Sequence, residues 1–125
     1  MSEIPKILVV DDDPFILMSL EFLMKKSGYK VVIARNGTEA LNALSVDPPN
    51  LVLLDIMMPD VDGYAICEHI KSTPILASIK VVFLSAKTKQ MDIQKGYDVG
   101  ADLFITKPFS TRNLKQQVAD LLNKK

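Results

Sequence analysis

Ile7-Leu8-Val9-Val10, followed at once by Asp11-Asp12-Asp13-Pro14, reads as a buried strand that runs into a cluster of carboxylates and then into a helix. The four apolar residues are continuous rather than alternating, the pattern of a strand covered on both faces. Asp13 and Pro14 suit a helix start, where a carboxylate caps free N–H groups and proline's missing donor costs nothing.

Four more apolar runs follow at intervals of roughly 20 to 30 residues: Val31-Val32-Ile33-Ala34, Leu51-Val52-Leu53-Leu54, Val81-Val82-Phe83-Leu84 and Leu103-Phe104-Ile105. The stretches between them have helical spacing. In the last, Leu114, Val118, Leu121 and Leu122 share one face of a helix begun near Ser110. Such alternation implies right-handed crossovers and a parallel sheet with helices on both faces. Gly28, Gly37 and Gly100 fall at the junctions. No repeat, low-complexity tract or linker interrupts the pattern. One domain is therefore expected over 1–125, with no output domain in this chain.

The composition narrows the class. Fifteen basic and fifteen acidic side chains cancel, so neither nucleic acid nor a membrane surface is an expected partner. No apolar run approaches the roughly 20 residues that span a bilayer, and the early aspartates interrupt any signal-peptide pattern. The single cysteine, Cys67, cannot form an internal disulfide, so a reducing, cytoplasmic location is expected.

In open α/β sheets, ligands bind beyond the carboxyl ends of the strands. Four of the five runs deliver a chemical group there: Asp11-Asp12-Asp13 after the first, Asp55 after the third, Ser85 after the fourth and Thr106-Lys107 after the fifth. The second ends in Ala34-Arg35-Asn36-Gly37, a plain turn on an edge strand. Converging carboxylates repel; at ~4 Å a pair costs about 4 kcal/mol at an effective dielectric near 20. Lys107 and a hard divalent cation are the two candidates to offset this. Magnesium suits clustered carboxylates, keeps several waters and often binds a phosphate oxygen. Three negative charges against Lys107 and Mg²⁺ sum to zero, so an incoming phosphoryl group would not face a negative site.

Val9-Val10-Asp11-Asp12, Leu54-Asp55-Ile56-Met57-Met58-Pro59 with Asp62-Gly63, Leu84-Ser85-Ala86, and Gly100-Ala101-Asp102 through Lys107-Pro108-Phe109 together resemble the receiver domain of two-component response regulators, such as the chemotaxis regulator. The resemblance covers essentially the whole chain. It implies a flavodoxin-like, doubly wound five-stranded parallel sheet in the order 2-1-3-4-5 with five helices, and a cis Lys107-Pro108 bond. It implies that Asp55 takes a phosphoryl group from a phosphohistidine on a sensor histidine kinase or histidine phosphotransfer protein. Asp12, Asp55 and the Met57 carbonyl would bind Mg²⁺ (Mn²⁺ in its place), with Asp11 acting through water. Ser85 and Lys107 would hold phosphoryl oxygens. Such a domain is no enzyme in the ordinary sense, since it promotes only its own phosphorylation and dephosphorylation. The family's switch pairs Ser85 with the aromatic at 104, and it acts on the surface around the fourth and fifth helices. Here that aromatic is Phe104 where Tyr is more usual, so the hydroxyl is missing. The output falls to an unknown partner or to an effector domain that is not present.

On the first helix, Ile16, Leu20, Leu23 and Met24 are expected to face the core at 100° per residue. Phe15, Met18 and Phe22 form a second apolar stripe, and apolar surface outside a core marks interfaces. In this family that helix lies beside the site, so the stripe is a candidate docking patch for the phosphodonor. Cys67 reads as a small buried hydrophobe, His69 as solvent-facing, and Asp60 and Asp62 as shaping the loop into the third helix. Met57 and Lys87, two residues beyond Asp55 and Ser85, sit where the family tunes phosphoryl lifetime. Met57 offers an attacking water no hydrogen bond, so a long lifetime is expected. Gly96, inside the fourth helix, costs about 1 kcal/mol relative to Ala.

Two other functions fit part of this pattern. A haloacid-dehalogenase-like phosphatase would use Asp11 and Asp13 two residues apart, but leaves Asp55 and Lys107 unexplained. A receiver that binds partners without phosphorylation would normally lack one of the acidic, phosphoacceptor or lysine positions, and all are present. A flavin site would need a Gly/Ser/Thr-rich phosphate loop after the first strand, which is absent.

Overall fold

Each apolar run forms a strand. In the computed structural model, which describes residues 3–124, the elements are β1 (Lys6–Val10), α1 (Pro14–Lys26), β2 (Lys30–Ala34), α2 (Gly37–Val46), β3 (Leu51–Leu54), α3 (Gly63–Ser72), β4 (Lys80–Ser85), α4 (Gln90–Asp98), β5 (Leu103–Thr106) and α5 (Thr111–Leu122). Met1, Ser2 and Lys125, the ends of the expected 1–125 domain, lie outside the described residues. The strands are parallel in the order β2-β1-β3-β4-β5, a flavodoxin-like sheet as expected.

The period of two along each strand divides the core into two layers. Leu8, Val10, Val52, Leu54, Val81, Phe83 and Phe104 pack under α2, α3 and α4. Ile7, Val9, Leu51, Leu53, Val82 and Leu84 pack under α1 and α5 with Leu114, Val118 and Leu121. Because both faces are covered, the three central strands carry unbroken apolar runs, with polar residues only at their ends. On the edge strand β2 the same apolar pattern leaves Val32 and Ile33 exposed.

The expected core stripe of α1 is rotated slightly. Leu17 joins Leu20 and Met24 as a buried residue, while Ile16 and Leu23 are half-buried at the margins. Leu17, Leu20 and Met24 stand at i, i+3 and i+7, one face of the helix, and that face meets the sheet.

The junction glycines serve two different needs. Gly28 and Gly100 have φ of 97° and 106°, in the left-handed region that glycine occupies without strain. Gly37 has no such torsion; a Cβ there would lie 2.5 Å from Cβ of Val61, so its role is a close approach. Asp60 differs from expectation. Its carboxylate accepts from the N–H groups of Gly37 and Thr38 and from the Thr38 hydroxyl, so it anchors the start of α2 as well as its own loop.

Candidate phosphoacceptor site

The residue just past β1, β3 and β5 makes one more rung of the ladder, and this is what brings the site together. Asp11 donates its backbone N–H to the carbonyl of Ala34, Asp55 to that of Val10, and Lys107 to that of Ser85. β1 and β3 end level with one another and β5 runs further along the sheet, which puts Asp11, Asp55 and Lys107 at one rim.

The side chains converge as the sequence implies. Carboxylate oxygens of Asp11, Asp12 and Asp55 lie within 4.8 Å of one another. Asp11 and Asp55 are buried, at 2% and 7% exposure, while Asp12 faces solvent. Lys107 Nζ is 2.8 Å from Asp11 Oδ2 and 3.7 Å from Asp55 Oδ1. The other Asp11 oxygen accepts from the N–H of Asp13, and Asp55 Oδ1 accepts from the N–H of Ile56. Lys107-Pro108 is cis, as the resemblance implies.

Burial pushes the Asp55 carboxyl up to about 6, and the negative charge of Asp11 adds to this; Lys107 and the Ile56 N–H pull the other way without cancelling it. One ammonium is thus insufficient for three carboxylates. All-oxygen donors, negative charge in excess and one solvent-facing member fit a hard, partly hydrated divalent cation such as Mg²⁺.

Ser85 is buried at the end of β4, paired in register with Thr106. Its Oγ accepts from the N–H of Lys87, forming the turn toward α4. Met57 is exposed beside Asp12, and the two line a groove of about 520 Å³ with Met58, Tyr64, Lys87 and Lys95. Phe104 lies under α4, buried against Phe83 with ring centroids 5.8 Å apart. Phe15, Met18 and Phe22 are exposed at 78%, 67% and 68%, so the stripe on α1 is a real apolar surface.

Several expected neutral residues are indeed structural. Asp13 caps α1 by accepting from the N–H of Phe15, and Asp62 caps α3 by accepting from that of Ala65. Cys67 is fully buried, and burial raises its thiol to about 11, so it stays protonated. His69 faces solvent.

Two residues escaped the sequence reading. Tyr64 on α3 donates its hydroxyl to the carbonyl of Asp92 on α4, and Lys95 lies 4.5 Å from the centre of its ring. Tyr97 accepts the backbone N–H of Phe104 on its hydroxyl. Neither carries a local sequence signal, because each acts on an element distant from its own turn.

The family model of the response regulator receiver domain matches residues 7–119. The alkaline phosphatase synthesis transcriptional regulatory protein PhoP of Bacillus subtilis is 36% identical over 95% of this chain and 49% of its own length. The probable transcriptional regulator ycf27 of Cyanophora paradoxa is 40% identical over 95% of this chain and 48% of its own. Among solved structures, the BeF3-activated DrrB receiver domain superposes with a TM-score of 0.90 at 33% identity, covering 98% of this chain and all of that one. The chain belongs to the response regulator receiver domain family. It spans about half the length of the two regulators, and receiver domains are signalling domains rather than enzymes with a substrate to turn over. No helix among the described residues is long and apolar enough to cross a membrane.

Proposed function

We propose that the chain accepts a phosphoryl group on Asp55 from a phosphohistidine of a sensor histidine kinase or histidine phosphotransfer protein. The observation that carries this is the single rim on which Asp55 meets Lys107 at 3.7 Å and the carboxylates of Asp11 and Asp12. An Asp55 oxygen attacks phosphorus and forms the acyl phosphate as the P–N bond breaks and the imidazole leaves. Phosphoryl transfer needs alignment and charge neutralisation more than covalent help. Lys107 neutralises one phosphoryl oxygen and the Ser85 hydroxyl donates to another. Asp12, Asp55 and the Met57 carbonyl would hold Mg²⁺ or Mn²⁺ directly, with Asp11 behind a water; the ion when bound supplies the remaining positive charge.

Ser85 and Phe104 carry the switch. The serine turns toward the phosphoryl group, and the packing of the ring passes the change to the surface around α4 and α5. A ligand shifts such an equilibrium only through contacts that differ between the states. Phe15, Met18 and Phe22 dock helices of the phosphodonor. The domain works in the cytoplasm, binds neither nucleic acid nor membrane itself, and acts through a partner or effector segment. The relatives named as transcriptional regulators support an output of that class. Met57, apolar beside the acyl phosphate, leaves an attacking water without a hydrogen bond and lengthens the phosphorylated state; loss of label within seconds overturns this.

Intact mass after incubation with acetyl phosphate tests the reading. One added phosphoryl group with Mg²⁺, absent with chelator and in Asp55→Asn, is the expected result. No label on folded protein overturns it in favour of a module that binds without phosphorylation.

A further inference from the structure

The loop from β3 to α3, residues 55–62, carries both Asp55 and the Met57 carbonyl, yet its backbone is held at few points. At its base the Gly63 N–H donates to the Ile56 carbonyl at 2.8 Å. A Cβ on Gly63 would lie 2.3 Å from the Asp55 carbonyl oxygen, so the two ends of the loop close tightly. Between them, residues 57–61 make no backbone-to-backbone hydrogen bond among the described residues. Met57, Pro59 and Asp60 are exposed, while Met58 and Val61 pack partly against the core.

One side chain fastens the tip instead. Asp60 Oδ1 accepts from the N–H groups of Gly37 and Val61 at 2.9 and 2.8 Å. Its Oδ2 accepts from the N–H and the hydroxyl of Thr38 at 2.9 and 2.6 Å. Three of these four donors belong to the first turn of α2, an end whose free N–H groups and dipole favour a carboxylate. The close approach of Gly37 to Val61 seats the loop against the same turn. The Thr38 hydroxyl and the two N–H groups of α2 hold the Asp60 carboxyl well below the usual carboxylate range, so it is charged at neutral pH. The helix already has a cap of its own, since Asn36 Oδ1 accepts from the N–H of Glu39. The second carboxylate reaches it from the loop that borders the site.

We propose that Asp60 is a positioning residue for the metal: by tying the loop to α2 it fixes the Met57 carbonyl at the rim, and the affinity for Mg²⁺ depends on that tie. This deepens the phosphoacceptor reading and rests on its assignment of the Met57 carbonyl to the ion. Only Met58 and Pro59 separate Asp60 from Met57, and the proline ring fixes one of the intervening torsions, so a displaced Asp60 carries the carbonyl with it. A carbonyl on an untethered loop must be ordered when the ion binds, which costs affinity.

The test is a Mg²⁺ titration followed by amide shifts in ¹H–¹⁵N NMR spectra, which also show that each variant is folded. Asp60→Ala should weaken Mg²⁺ binding roughly tenfold, the low end of the usual cost of losing a ligand's support. The Mg²⁺ concentration for half-maximal labelling by acetyl phosphate should rise by the same factor. Asp60→Asn keeps one of the two acceptor oxygens and should fall between Asp60→Ala and the parent. Asn36→Ala removes the other cap from the same helix end. It should lower the unfolding midpoint in denaturant and leave Mg²⁺ affinity unchanged. Parent affinity in folded Asp60→Ala overturns the proposal. Equal weakening in Asn36→Ala overturns it too, since general loosening of α2 would then account for the effect. The reading beneath it fails differently: a parent protein with no Mg²⁺ shifts at the rim, or shifts that persist unchanged in Asp55→Asn, strikes the metal site itself and the tie with it.

Discussion

α1 and α4 both start at the carboxylate rim, yet the fold holds them very differently. α1 has 13 residues, a capping carboxylate from Asp13, and Leu17, Leu20 and Met24 driven into the core. α4 has 9 residues, no capping side chain at Lys89, and only Gly96 buried. A helix owes most of its stability in a protein to the apolar face it buries. One helix is therefore a fixed part of the domain, and the other is fastened by a few polar ties, a glycine and the half-buried Ile93. A docking surface benefits from the first arrangement, because little ordering is lost on binding. A signalling element needs the second, because elements that move come from the low-stability end of a fold.

Core truncation sharpens the contrast most. Leu20→Ala in α1 should cost about 3 kcal/mol in denaturant unfolding, within the usual range for a buried leucine. Ile93→Ala in α4, which removes a half-buried side chain, should cost about 1 kcal/mol. Equal losses would break the comparison.

The rim between the helices gives the next largest effect. Asp55 holds its proton to about pH 6 in the folded chain, above its ordinary value, so the folded state binds that proton more tightly than the unfolded state. Its ionisation therefore weakens the fold as pH rises from about 4 through about 6, by about 3 kcal/mol without metal. Unfolding in chelator at several pH values should show Asp55→Asn relatively more stable above pH 6, with the gap narrowing in Mg²⁺. A constant difference across pH would remove this electrostatic account.

Docking on α1 can be broken without disturbing its core. A Phe15→Ala, Phe22→Ala double variant should take phosphate from its phosphodonor at least tenfold more slowly, about 1.4 kcal/mol. Its labelling by acetyl phosphate should match that of the parent. Equal transfer from the protein donor ends the docking role.

The smallest change gives α4 what α1 already has. Lys89→Asp supplies a cap and should stabilise the domain by about 0.5–1 kcal/mol in thermal or denaturant unfolding. No gain would mean that the start of α4 is already satisfied by other bonds.

The strands were legible because a continuous apolar run bounded by polar turns admits few other structures, and because β1, β3 and β4 are covered on both faces. The rim was legible because the pattern of strand ends places Asp11, Asp55, Ser85 and Lys107 together in any parallel sheet of this kind. Helix faces were read less well. Leu17 shares the i, i+3, i+7 face with Leu20 and Met24, so the stripe is present in the sequence, and packing on the sheet centres it there rather than on Ile16 and Leu23. Asp60 read as a loop residue, but its carboxylate holds the N-terminus of α2, more than twenty residues away in the chain.

The sequence by itself determined the order of elements, the layer each strand residue faces, and the set of groups gathered at the rim. Those follow from periodicity and from covalent order, which are local. Only the tertiary structure decided how much charge remains uncompensated on Asp55, since that depends on burial and on the distance to Lys107. It alone also decided that a glycine read as a weakness of α4 is the space for Phe104. Burial and close approach are properties of pairs brought together by folding, and neither residue of such a pair carries the information alone.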